Sequence, residues 1–298
     1  MSVWLTMRER TLELIPGRPL LMGIVNTGPD SFSDSVRLEG VDAQVRHGLA
    51  LVAAGADVID VGGESGVTYS PAADAAVETE RVVGVVGRLV AEGVTVSVDT
   101  WKAPVAAVAL DAGAAMINDV SGLRYPGMAA LCARAGAALV ITHTRAEPKS
   151  ERFADYGGDV GADVVAFLSE RRSVARAAGL SDDRIVLDPG PDFAKTPAET
   201  VIALRDLPVL HALGHPLLLA VSRKYFIGAI TARPPAQRLA GTLAAVAWAA
   251  DRGAAILRVH DVAEVVDFLA VKRVLDGLDP PPSHDRGDDE LKWIRAPA

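Results

Sequence analysis

Only one cysteine, Cys132, stands among the 298 residues. A lone thiol closes no intrachain disulfide, and its alanine-rich surroundings fit a packed structural side chain. A reducing, cytoplasmic setting is therefore expected. Positive charge is also short, with 30 Lys and Arg against 38 Asp and Glu and a net charge of −8. Binding nucleic acid takes a basic face, so that class of partner is set aside, while a small anion can still bind in a local basic pocket. No apolar stretch free of charge and turn residues reaches the roughly 20 residues a bilayer span needs, so no membrane association is expected. The opening residues, MSVWLTMRERTLEL, mix charged and apolar side chains and lack the apolar run of an export signal. HExxH motifs and cysteine clusters are missing as well. His143 and His260 fall on different strand segments, so a tightly held zinc is not expected.

What is present is an alternation of short apolar runs and amphipathic segments. Strand-like runs cover 19–26, 57–63, 95–99, 115–120, 138–143, 184–190, 217–222 and 256–261. Helical patterns follow them at 42–54, 73–91, 103–112, 126–135, 158–178, 198–206, 236–250 and from 262 to about 276. Near-continuous apolar strands belong to a parallel sheet covered on both faces. Eight βα units are the number that closes a TIM (β/α)8 barrel, an α/β fold of about 250 residues. A doubly wound open sheet shares the same periodicity. Residues 1–276 read as one domain, followed by a proline- and charge-rich tail, 277–298, taken as flexible, with Trp293 and Ile294 able to dock on the body.

Barrels of this kind carry their sites at the C-terminal ends of the strands. Here every strand run ends in polar residues. In chain order they are Asn26; Asp60 and Glu64; Asp99; Asn118 and Asp119; His143; Asp188; Ser222, Arg223 and Lys224; and Arg258, His260 and Asp261. A helix cap explains any one of these alone, but it does not explain a set on all eight strands. Asp99, Asn118 and Asp188 supply acceptors and an amide suited to a flat heterocycle rich in N–H donors. Lys224, Arg258 and His260 come from the last two strands, where barrels often hold phosphate. A heterocycle with an anionic arm fits both halves. Magnesium held mainly through a ligand diphosphate is compatible, because it needs few protein ligands.

Seven segments in order resemble the dihydropteroate synthase family over about residues 19–276. They are MGIVNTGPDSFSD (22–34), DVGGES (60–65), SVDTWK (97–102), INDVSG (117–122), DPGPDFAKT (188–196), SRKYFIG (222–228) and RVHDV (258–262). The resemblance implies a TIM barrel that pairs as a homodimer. It also implies a reaction joining a hydroxymethyl-dihydropterin diphosphate to p-aminobenzoate with loss of diphosphate. Carried onto this chain, the pterin contacts fall on Asp99, Asn118, Asp188 and Lys224. The diphosphate contacts fall on Asn26, Arg258 and His260, with Asn26 beside Mg2+. Phe193 and Ser222 match positions next to the incoming amine.

The pattern is broken in four places. After GGES the family continues Thr-Arg-Pro-Gly, whereas this chain has Gly66 and Val67, and the loop is about two residues longer. Val67 cannot supply the donors of a guanidinium. Gly28 replaces a family Thr, THTR (142–145) replaces a Met-His-Met-Arg-like piece, and Pro191 and Asp192 replace an apolar residue and Gly. Asp192 adds negative charge near a site for anions. These changes imply a pterin-diphosphate pocket largely kept, a dismantled p-aminobenzoate site, and weak or no dihydropteroate formation. A working synthase that uses Thr68 or Tyr69, and a pterin-binding protein without catalysis, are the alternatives.

Overall fold

Val, Ile, Leu and Ala fill the strand segments so densely that both faces of each strand must be covered, and the computed structural model shows how. It describes residues 3–28, 40–64, 71–150 and 153–282. The chain begins with a hairpin, β1 (Val3–Met7) and β2 (Arg10–Leu14). Then follow β3 (Leu20–Asn26), α1 (Val41–Ala53), β4 (Val58–Gly62), α2 (Ala75–Ala91), β5 (Val96–Asp99) and α3 (Ala103–Asp111). The middle of the chain forms β6 (Met116–Asp119), α4 (Met128–Ala135), β7 (Ala138–Thr142), α5 (Val160–Ala177), β8 (Ile185–Asp188), α6 (Pro197–Arg205) and α7 (Leu207–His211). The last elements are β9 (Leu218–Leu219), α8 (Tyr225–Thr231), α9 (Leu239–Asp251), β10 (Ile256–Val259) and α10 (Val262–Leu275).

All pairings among β3–β10 are parallel, in the order β8-β7-β6-β5-β4-β3-β10-β9. A parallel bridge between Leu187 and Leu217 joins the two ends of that order, and the Leu187 amide donates to Pro216 O at 3.0 Å. The ring is closed, and the TIM barrel prevails over the open sheet.

The strand period of two sorts the side chains into two cores. Leu21, Val25, Ile59, Val61, Val98, Ile117, Leu139, Ile141 and Leu187 face outward into the helix layer. Met22, Val58, Met116, Val140, Val186, Leu218 and Ile256 face the barrel interior, where Leu5, Met7 and Leu14 of the hairpin meet them. The hairpin therefore closes the N-terminal end of the barrel. Its turn is tied down by Arg8, whose amide donates to Gly136 O at 2.7 Å and whose Nε donates to Ala114 O at 2.8 Å.

Two differences from the sequence reading have local causes. The strand expected over 217–222 keeps Leu218 and Leu219 in the ladder and Leu217 in a single bridge; beyond them Ala220 and Ser222 run along the cleft wall to Arg223, at φ 56°. The short helix α8 interrupts what reads as a loop before α9. The boundary at α6 follows its sequence signal: Thr196 and Glu199 form a reciprocal capping box with Pro197 at the first helical turn.

No helix among the described residues is long and apolar enough to cross a membrane. On the later helices, where the expected pairing of two chains would fall, Ile202, Val209, Tyr225 and Ile230 are exposed. The tail with Trp293 and Ile294 lies outside the described residues.

Candidate functional site

Two residues above the apolar floor, the same period of two places a polar layer across the barrel. Arg258 of β10 reaches over the interior, its Nε donating to Asp60 Oδ2 at 2.6 Å and its Nη2 to Asp99 Oδ2 at 3.0 Å. Asn118 Nδ2 donates to the same Asp60 oxygen at 3.2 Å. Four strands thus meet in one charged cluster inside a packed protein. Asp60 is its hub, a residue the sequence reading placed at a strand end but not among the contacts. Its signal was a carboxylate set inside the continuous apolar run of β4. Asp60 Oδ1 and Asn118 Oδ1 are buried with no hydrogen-bond partner among the described residues. Such groups cost about 1–3 kcal/mol each unless something pairs with them. Burial pushes the Asp99 carboxyl up to about 7; Arg258 pulls it back, and the neighbouring carboxylates of Asp60 and Glu78 push it further.

The opposite wall is the segment after β8. Asp188 Oδ1 accepts the Gly190 amide at 2.8 Å, and burial raises its carboxyl to about 6 against the pull of that amide, Lys224 and Lys195. The loop then passes through left-handed residues at Gly190, Asp192 and Ala194 (φ 66°, 65° and 54°). Glycine is required at the first of these, where an added Cβ would strike the His143 carbonyl. Lys195 holds the turn together. It is 1% exposed, and its Nζ donates to Gly190 O at 2.9 Å and Phe193 O at 3.1 Å, with His143 O at 3.4 Å. Burial brings its ammonium down to about 7. Sequence reasoning missed Lys195, since a lysine normally marks the surface.

Phe193, presented by this loop, lies under Lys224 Nζ at 4.6 Å from the ring centroid. Asp192 accepts from Thr200 Oγ1 and from the amides of Tyr225 and Phe226. Its negative charge thus sits against the amides that open α8, which gives it a structural task that the sequence reading did not assign. Ser222 Oγ and His260 Nδ1 are 2.9 Å apart, and the His260 amide also donates to Ser222 Oγ.

Beside the polar layer stands a second ionic group. Lys102 Nζ donates to Glu64 Oε2 and Glu78 Oε2, both at 2.6 Å, and to Ala73 O at 2.7 Å. Lys149 Nζ lies 3.4 Å from Glu64 Oε1. A cleft of about 460 Å³ opens between these parts, and its wall includes Trp101, Lys149, Phe193, Ser222, Lys224, Arg258 and His260. Asn26 ends β3 with Gly62 beside it in register. The loop holding Gly66, Val67, Thr68 and Tyr69 lies outside the described residues.

No group of three or more His, Cys, Asp or Glu converges on a metal position among the described residues. Asn26 offers one hard oxygen, which fits an ion whose other ligands are diphosphate oxygens and water. His143 faces away from the interior. Its Nε2 is 2.9 Å from Asp163 Oδ2, and its ring meets Phe167 edge-on. Burial, reinforced by Lys195, depresses it to about 3. Between pH 6.5 and 3 the unfolded chain therefore takes up a proton that the folded chain refuses. This group's contribution to stability is lost as pH falls, at up to about 1.4 kcal/mol per pH unit. Urea unfolding of the natural protein and His143→Gln from pH 7 to 4.5 checks this; equal pH slopes in the two would refute it.

The polar layer suits a flat ligand rich in N–H groups, and the Lys224 side suits an anionic arm. Comparisons with known proteins show the family. The profile of pterin binding enzymes matches residues 22–260. The chain is 44% identical over 263 residues to a dihydropteroate synthase of Mycobacterium leprae, covering 84% of this chain and 91% of that one. It superposes with a TM-score of 0.85 on Xanthomonas albilineans dihydropteroate synthase with 4-aminobenzoic acid, at 43% identity over 94% of this chain and 100% of the other. A second structure of that enzyme, in complex with 7,8-dihydropteroate, gives a TM-score of 0.80 at 43% identity over 92% of this chain and 100% of the other.

Proposed function

Because the chain belongs to the dihydropteroate synthase family of pterin-binding enzymes, we propose that it catalyses the family reaction, joining a hydroxymethyl-dihydropterin diphosphate to p-aminobenzoate. The observation that carries this reading is the polar layer. Asp60 Oδ1 and Asn118 Oδ1 are buried acceptors awaiting donors, beside an Asp99 held by Arg258. A pterin edge supplies N–H groups for such acceptors. Asp188 and Lys224 bound the other side of the same pocket.

Loss of diphosphate leaves positive charge on the pterin methylene. Asp99 stabilises that charge once it is ionised. Lys224, His260 and Arg258, all on the cleft wall, offer cationic and N–H groups to the departing anion. Phe193 and Ser222 flank the place where the amine arrives. Asn26 and the diphosphate oxygens would hold magnesium, which would supply neutralisation of the leaving group's charge.

A second reading, a slow or inactive enzyme, is favoured by one feature of the sequence: Gly66 and Val67 stand where the family has Thr and Arg. Diphosphate release measured with and without p-aminobenzoate separates the two. Release that depends on the amine, at about 1 per second or faster, is the expected result. Release slower by orders of magnitude, with pterin diphosphate still bound, would instead establish the degraded site and make a Thr-Arg-Pro-Gly replacement of residues 66–71 the remedy.

A further inference from the structure

We propose that Lys195 is a positioning residue for the amine: from beneath the cleft wall, its ammonium fixes the Phe193 ring in the attitude that receives the incoming aromatic arm. This inference rests on the synthase reading and deepens it.

Asp192, Phe193 and Ala194 line the cleft, whereas Lys195 is turned under them and is 1% exposed. Its Nζ donates to Gly190 O, Phe193 O and His143 O, at 2.9, 3.1 and 3.4 Å. An ammonium has three donors, one for each carbonyl. Since His143 follows β7 and the other two acceptors follow β8, the cation ties two strand ends together. Within the loop both ends of the Phe193 backbone are held. Its amide donates to Gly190 O at 3.0 Å, and its carbonyl is met by Lys195. On either side the backbone is left-handed, at Asp192 and Ala194. Residues other than glycine seldom take that form, and two of them so close persist only where the surroundings impose it. The other anchors act on the neighbours of Phe193. Asp192 is engaged with Thr200 and the amides of α8, and Ala194 O accepts from the Ala154 amide and the Tyr156 hydroxyl. Lys195 grips the carbonyl of Phe193 itself.

What depends on this grip is the ring. Phe193 carries Lys224 Nζ at 4.6 Å from its centroid, so tilting it would move both the wall against which an aromatic amine packs and the seat of a cation. A nucleophile has to meet the pterin methylene at short range, and a displacement of about 1 Å can cost about a hundredfold in rate. Burial brings the Lys195 ammonium down to about 7, against the attraction of Asp188, Asp163 and Asp192 and with the repulsion of Lys224. The His143 ring, also close by, is held neutral by burial. A neutral lysine has two donors for three carbonyls, so the grip loosens as pH rises through 7.

The test compares 7,8-dihydropteroate with hydroxymethyl-dihydropterin, which shares the pterin and lacks the aromatic arm. Their affinity ratio, read by calorimetry on the full chain at pH 6.5, measures how well the arm is received. Lys195→Met also takes a counter-charge from Asp188, which weakens both ligands together and leaves the ratio alone. Lys195→Met and Phe193→Ala should each lower the ratio by about tenfold or more. The double variant should fall no more than about threefold below the lower single one, because the lysine acts through the ring. Losses that multiply to about a hundredfold overturn the inference, and so does an unchanged ratio in Lys195→Met. Where Lys195→Met does not fold, a pH series decides alone. From pH 6.5 to 8.5 the ratio should fall in the natural protein and hold level in Lys195→Arg, whose guanidinium keeps its charge. Lys224 faces the same ring and is also lowered by burial, so an equal fall in Lys195→Arg assigns the effect to Lys224 and overturns the inference. If the natural protein binds neither ligand, the synthase reading falls and takes this inference with it.

Discussion

Replacing Arg258 by methionine should cost about 3–5 kcal/mol of folding stability at neutral pH, the range for stripping the partner from a buried charge. Two carboxylates depend on this guanidinium. Asp60 is wholly buried and receives its strongest hydrogen bond from Arg258. Asp99 is already raised to about 7 by burial and is held down by Arg258. Without the arginine Asp99 escapes by taking a proton, because its folded pKa climbs further above its unfolded value. A carboxyl raised in this way is stable protonated and loses stability as pH rises through the folded pKa. The damage in Arg258→Met should therefore grow from pH 6 to pH 8. Asp60→Asn placed on top of it should recover much of the loss, since the hub then has no charge to strand. Urea unfolding of the four proteins in this cycle measures the coupling. A single variant within about 1 kcal/mol of the natural protein would show that the cluster is stabilised some other way.

Asp188→Ala should weaken binding of a pterin diphosphate by about ten- to a hundredfold or more, the equivalent of roughly 1–3 kcal/mol. The carboxylate sits buried at the end of β8, its Oδ1 fixed by the Gly190 amide. Its removal also takes from Lys195 its main counter-charge and from Lys224 one of its counter-charges, the first being Asp192. Asp188→Asn separates the two effects, because it keeps the shape and loses only the charge. Since Asp188 titrates near 6, affinity in the natural protein should fall as pH drops below 6 and the acceptor is protonated. Unchanged calorimetric affinity in Asp188→Ala would mean that the ligand class is wrong.

The sequence shows the barrel because its strands announce themselves twice, as apolar runs and as polar ends. Asp99, Asn118, Asp188, Ser222, Lys224, Arg258 and His260 can all be found that way. The relations among them are harder to see. Asp60 was legible as polar, but its role as hub emerges only when register puts Arg258 and Asn118 beside it. Lys195 and Lys149 look like surface lysines in one dimension. Lys195 is turned inward onto the carbonyls of its own loop, Gly190 and Phe193, and Lys149 is drawn to Glu64, far away in sequence. The hairpin β1–β2 carries a period-two pattern, in WLTM and TLEL, but each run is short and no turn glycine or asparagine marks the junction. Arg8 takes the left-handed position there instead. Asp192 shows the opposite difficulty: a substitution that looks like a defect in the anion site is engaged at the amides of α8.

That hairpin matters to chemistry it never touches. The barrel axis is filled by Met22, Val58, Met116, Val140 and Ile256, and the hairpin adds a second apolar layer beneath them. By sealing one end with Leu5, Met7 and Leu14, the first strands make the barrel a cup. The polar layer then has an insulator beneath it, and solvent and ligand must arrive from the same side. When a flat ligand covers that side, no second route remains for water to return. Exclusion of solvent during the reaction is in this sense half built before any loop closes, by the part of the chain farthest from the reacting atoms.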